Sequence, residues 1–253
     1  MGLLYLRADE NVLYGGTVTT SAGTTDSTYT DDWLVDGRGR PAKATNGTVT
    51  WAATGTSGII SLVVVHRHNI DAARAITIAG GVVSVALAGP AARTNGAPVN
   101  PWGQVTEATG AIVSVAVASN STAVIIGELL AGKARETTYG LRPGVAWGYR
   151  DIGSQVARRN PIGSVPPLSR GEVARWLRGT IMCQEADKDA LVAWYEAGRD
   201  DSKPSVMIPY SDLQDAWVGT LTALEVRTVI RVSGGPVIFD VSLEFQEWPR
   251  KRW

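Results

Sequence analysis

IISLVVVHRHNIDAARAITIAGG, residues 59–81, is the stretch whose reading decides the fold. Ile59 to Val65 form a near-continuous apolar run of strand length. His66, Arg67, His68 and Asn69 end it, and a second alternating run follows from Ala75 to Ala79. Both histidines of the chain lie here. Two apart on a strand, His66 and His68 project from one face, a geometry open to a metal pair. Zinc needs a third and usually a fourth ligand. Asp71 is nearby, but the chain has no further histidine and a single cysteine, so no metal, cofactor or catalytic residue is assigned. The segment reads as the polar end of a buried strand, with His68 and Asn69 hydrogen-bonded to loop backbone.

Working outward, the chain up to about Gly132 is rich in Gly, Ala, Thr, Ser and Val. Turn signals break it at Asn46-Gly47, Gly80-Gly81, Gly89-Pro90 and Asn95-Gly96. Strands are expected at 48–52, 58–65, 75–79, 82–87, 112–118 and 123–130. Short strands at such intervals predict a β-sandwich of jelly-roll type over residues 1–132. Residues 133–171 carry Pro143, Pro161, Pro166 and Pro167 with Arg142, Arg150, Arg158, Arg159 and Arg170, and read as an irregular connector arm. Residues 172–253 alternate strand and helix. A strand is expected at 172–182 and an amphipathic helix at 187–197, with Leu191, Trp194 and Tyr195 on one face. Gln184 or Asp187 opens that helix and Gly198 stops it. Further strands are expected at 205–209, 217–227 and 236–247. In the last, Val237, Phe239, Val241, Leu243 and Phe245 alternate with polar residues. The fold class is therefore mainly β: an N-terminal jelly-roll β-sandwich, a long irregular arm, and a smaller α+β module.

The chain has 253 residues, and its 24 Lys+Arg balance its 24 Asp+Glu. A neutral chain has no electrostatic footprint for nucleic acid. Low net charge also removes a barrier to self-association. Cys183 is the only cysteine, which excludes an internal disulfide and fits a buried thiol. No stretch approaches the ~18 apolar residues of a membrane span. The opening MGLLYLRADE lacks the marks of a signal peptide, so a protein made in the cytoplasm is expected.

No GxSxG elbow, GxGxxG turn or P-loop occurs. The run DSTYTDDWLVDGRG, residues 26–39, has a composition suited to a loop that holds calcium or sugar, without the DxDxDG spacing of a calcium loop. Trp33, Trp51 and Trp102 are the candidate sugar platforms. Of nine tryptophans, six lie beyond residue 140. Trp147, Trp248 and Trp253, with Arg150, Arg158 and Arg159, are the candidate subunit interface: aromatic anchors with arginines at the rim.

The run VVVHRHNIDAARAITIAGG, residues 63–81, resembles a segment of the galactose-binding-like jelly-roll found in structural proteins of tailed phages and prophages. IIGELLAGKARETTYGLRPGVAWGYRD, residues 125–151, resembles the strand and arm that follow it in those proteins. A hydrophobic strand, a short helix, KPSVMIPYSD at 203–212, and a strand with Trp217, Gly219 and Leu221 complete the order. The resemblance covers residues 59–248, with Glu128 standing where the family pattern has a basic residue. It implies a non-enzymatic virion component without cofactor, of minor-tail or distal-tail and baseplate type. Such a protein would assemble with itself, as a homo-oligomeric ring, and with other phage tail proteins. Two other readings stand beside it. One is a carbohydrate-binding module for host-surface glycans. The other is a cell-wall polymer hydrolase, which lacks a coherent acid/base set.

Overall fold

The apolar run at 59–65 is the middle of one 20-residue strand, Val49–His68, in the computed structural model of this chain. The structure describes residues 2–37, 40–71, 74–80, 83–87, 99–151, 173–200, 203–210, 215–231 and 236–248. In chain order its strands are β1 (Leu4–Leu6), β2 (Thr17–Ala22), β3 (Ala42–Lys43), β4 (Val49–His68), β5 (Ile76–Gly80), β6 (Val83–Leu87) and β7 (Trp102–Val117). They continue as β8 (Ile125–Gly132), β9 (Arg135–Glu136), β10 (Ala146–Asp151), β11 (Val173–Cys183), β12 (Ser205–Ile208), β13 (Trp217–Arg231) and β14 (Val237–Glu247). One helix, α1 (Glu185–Asp200), and two 3-10 turns, at Ala8–Glu10 and Asp31–Val35, complete the described elements. The protein is mainly β, with two antiparallel sheets.

The first sheet runs β3-β8-β4-β7-β5-β6, with β2 paired to β4. β4 joins two stretches that read as separate strands, 48–52 and 58–65. The ladder to β7 is irregular between Thr54 and Gly58, where the strand bends without ending. Gly55 sits in that bend. A Cβ there would lie 1.9 Å from the Val12 carbonyl oxygen, so only glycine lets the 11–13 turn cross the strand so closely. Val49, Trp51, Val63, Val65, Ile76, Ile78, Val113, Val115 and Leu129 form the core, with Leu34 and Val35 closing it. This is the expected jelly-roll β-sandwich.

The second sheet runs β10-β11-β14-β13-β12-β1-β9. β1 thus lies outside the jelly-roll to which residues 1–132 were expected to belong. The sequence LLYL gives the reason. Leu4 and Leu6 enter an apolar layer with Leu62, Val64 and Leu130 of the first sheet, while Leu3 and Tyr5 join the core beneath α1. A strand apolar on both faces is stable only where both faces are covered. The connector is also less irregular than its prolines suggest, since β9 and β10 are strands of this sheet. Its residues 152–172 lie outside the described residues.

α1 packs Leu191 and Trp194 against the second sheet, and the Trp194 and Tyr5 rings stack at 4.5 Å. The helix runs through Gly198 instead of stopping there. Lys188 donates its amide to the Gln184 carbonyl at 3.0 Å, which places the opening at Gln184.

Candidate functional site

Arg67 interrupts the HRH strand end with a φ of 52°, in the left-handed region. His68 Nδ1 accepts the Ile70 amide at 3.0 Å, so Nε2 carries the proton and donates to the Val99 carbonyl at 2.8 Å. Asn69 donates to the Ala123 carbonyl and accepts the Ile125 amide, both at 2.7 Å. Both ring nitrogens of His68 are thus committed to backbone, as expected of a sealed strand end. Asp71 accepts the Ser121 amide at 2.7 Å and hydroxyl at 2.9 Å, and these bonds hold its carboxyl below the usual range. Among the described residues no group of three His, Cys, Asp or Glu side chains could hold a metal ion.

His66 stands opposite Glu128 in the β4–β8 ladder, and both side chains are fully buried. Burial holds the Glu128 carboxyl well above the usual carboxylate range. The Asp36 charge pushes the same way, and the Arg67 guanidinium and Gly37 amide pull back. Cys183 is buried, and burial pushes its thiol up to about 11, the state of a packing residue.

A second buried polar cluster ties the two sheets together. Arg175 donates to both oxygens of Glu247 at 2.8 and 2.7 Å, and to Asp215 at 2.8 Å, with its guanidinium 4.1 Å from the centre of the Trp217 ring. Asn100 accepts the Arg67 amide at 3.2 Å, donates its side-chain amide to the Ala216 carbonyl at 2.8 Å, and donates its backbone amide to Asp215 at 2.9 Å. Sequence reading missed this set. One signal was present: the alternation that buries Val241, Leu243 and Phe245 also buries Glu247, and a buried carboxylate demands a cation.

The acidic run at 26–39 contains the Asp31–Val35 turn. Its carboxylates serve local structure. Asp31 accepts Thr20 Oγ1 at 2.5 Å and the Trp51 indole at 3.2 Å, Asp32 accepts the Val18 amide at 3.0 Å, and Asp36 accepts Arg40 at 2.7 Å. The sugar-platform reading of Trp51 and Trp102 is corrected. Trp51 is wholly enclosed in the sandwich core, and Trp102 lies in the layer between the sheets. Neither offers a ring face to solvent. Trp33 is half-buried, with the Arg40 guanidinium 4.7 Å from its ring centre and the Tyr29 ring edge-on at 6.1 Å. Lys43 lies 5.1 Å from the Tyr29 ring centre and 3.3 Å from Asp26.

Among the described residues, exposed apolar side chains occur on β10 and on the β13–β14 hairpin. On the edge strand β10, Trp147 is 62% exposed. On the β13–β14 hairpin, Leu224 pairs with Leu243 and Val226 with Val241. Leu243 and Val241 are buried with Leu191 and Trp194 of α1, whereas Leu224 is half-buried and Val226 is 38% exposed. The apolar face of the hairpin therefore outruns its helix cover. Trp248 is half-buried and donates its amide to the Val218 carbonyl at 2.9 Å. Arg150 pairs with Ala174 in the β10–β11 ladder, and Arg158, Arg159 and Trp253 lie outside the described residues.

No family model matches the chain, and no curated protein does. Solved structures similar to this chain over about half its length include the following three. A Streptococcus pneumoniae fucose-binding module, SpX-3, matches at 13% identity and TM-score 0.38, covering 49% of this chain and 97% of that one. The lectin domain of lectinolysin, complexed with Lewis B antigen, matches at 14% and 0.39, covering 49% and 96%. SpGH29 matches at 11% and 0.40, covering 50% of this chain but only 28% of its own. At these scores the likenesses carry no argument about what this chain binds.

Proposed function

We propose that this protein is a non-enzymatic structural subunit of a tailed-phage virion, placed at the distal tail or baseplate and acting by assembly with its own copies and other tail proteins. The observation that carries this reading is the apolar face of the β13–β14 hairpin, where Leu224 packs partly on the core and Val226 is exposed. Scattered exposed apolar residues are ordinary, but a stripe continuous with a core marks a surface that a partner covers. The order of segments across residues 59–248 supplies the kind of assembly. Val226→Asp places a charge in the stripe without touching the core. It is expected to shift the full chain from oligomer to smaller species in sedimentation, with unchanged circular dichroism. Identical sedimentation of the variant and the parent would sink the reading.

A second reading, recognition of a host-surface glycan, is favoured by the grouping of Tyr29, Trp33, Arg40 and Lys43, whose rings and cations lie against one another. Aromatic rings beside cations and carboxylates suit sugar stacking and hydroxyl bonding. Here Trp33→Ala would abolish glycan-array binding of the full chain and leave its oligomeric mass alone. Array signals that survive the substitution would count against this grouping.

A further inference from the structure

The face of the second sheet opposite α1 carries a cavity of about 460 Å³. Leu177 and Ile181 of β11 point toward the helix core, so Arg178 and Thr180 point away from it. Three guanidinium groups line the cavity, from Arg142, Arg178 and Arg227, against the single carboxylate of Asp240. Thr180 and Ser242 pair across the β11–β14 ladder with their hydroxyl oxygens 3.1 Å apart. Arg142 reaches in from the segment after β9: its amide donates to the Thr180 carbonyl at 2.9 Å, and its guanidinium lies 3.1 Å from Asp240. Arg227 stands across the β13–β14 ladder from Asp240 and is braced by Glu225 at 2.9 Å. Glu244 pairs with Arg178 in the ladder, and the charged side chains lining the cavity itself are three arginines and Asp240.

We infer that this cavity binds a carboxylate-bearing sugar. Guanidinium forks match a carboxylate bidentately, and the Thr180–Ser242 pair can both donate to and accept from ring hydroxyls. The volume falls in the range of about 300–1,000 Å³ common to small-ligand sites. An extended acidic peptide would seek a strand edge or an apolar anchor instead of a hydroxyl-lined hollow. The site is separate from the β13–β14 stripe and from the Trp33 loop, and stands independently of both.

Calorimetric titration of the full chain tests it, with glucuronate and N-acetylneuraminate as ligands. Glucose, inorganic phosphate and a polyglutamate peptide are the comparison arms. The acidic sugars are expected to bind and glucose to give no heat. Arg178→Ala and Arg227→Ala should each weaken binding by about tenfold or more, as lost charge-assisted bonds require. Unchanged melting curves show that both variants fold. Absence of acidic-sugar binding overturns the inference. So does binding of phosphate or polyglutamate in preference to the sugars, or sugar binding indifferent to both arginine substitutions.

Discussion

Glu128 makes the stability of this protein depend on pH. Its carboxyl is held well above the ordinary value of 4.5, chiefly by burial. A raised carboxyl favours folding fully below the unfolded-state pKa, and that contribution is lost as pH rises toward the folded value. Glu128→Gln keeps the shape and cannot ionise. It should therefore match the parent Tm at about pH 4 and exceed it by several degrees at neutral pH. Equal melting temperatures at both pH values would mean that Glu128 carries no such penalty. The histidines beside it illustrate what single residues reveal. His68 and Asn69 behave as their strand-end position predicts, because their partners are backbone groups of adjacent loops. Arg175 and Glu247 lie 72 positions apart, and only the packed sheet brings them together. Trp51 lies on β4, and its core position follows from pairing with β2 and from the Asp31–Val35 turn packing against it.

At the level of elements, alternation made β5, β6, β8, β11, β12 and β14 legible to within a few residues. β1, β9 and β10 were not legible, since LYL, RE and AWGYRD show no alternation between apolar and polar residues and exist as strands through their ladder partners. β2 is a Thr and Ser run whose strand character comes from pairing with β4. The end of α1 was misplaced for a related reason. Gly198 is a common stop, but packing against the second sheet carries the helix past it, at a propensity cost of about 1 kcal/mol. A Cβ on Gly198 would meet nothing nearer than the Thr220 methyl at 3.8 Å. Gly198→Ala should accordingly stabilise the protein by about 0.5–1 kcal/mol in urea unfolding. A destabilised variant would show that glycine is needed there for some other reason.

In the whole molecule, the second sheet draws on both ends of the chain, with β1 lying between β12 and β9. The two sheets share an apolar layer of Leu4, Leu6, Leu62, Val64, Leu130 and Val206, and the Arg175 cluster closes its edge. The chain's balanced charge opposes no self-association. The most direct test is native mass spectrometry of the purified full chain over a range of micromolar concentrations, with electron microscopy of the same samples. The account predicts a closed homo-oligomer visible as a ring. A strict monomer at every concentration would contradict it.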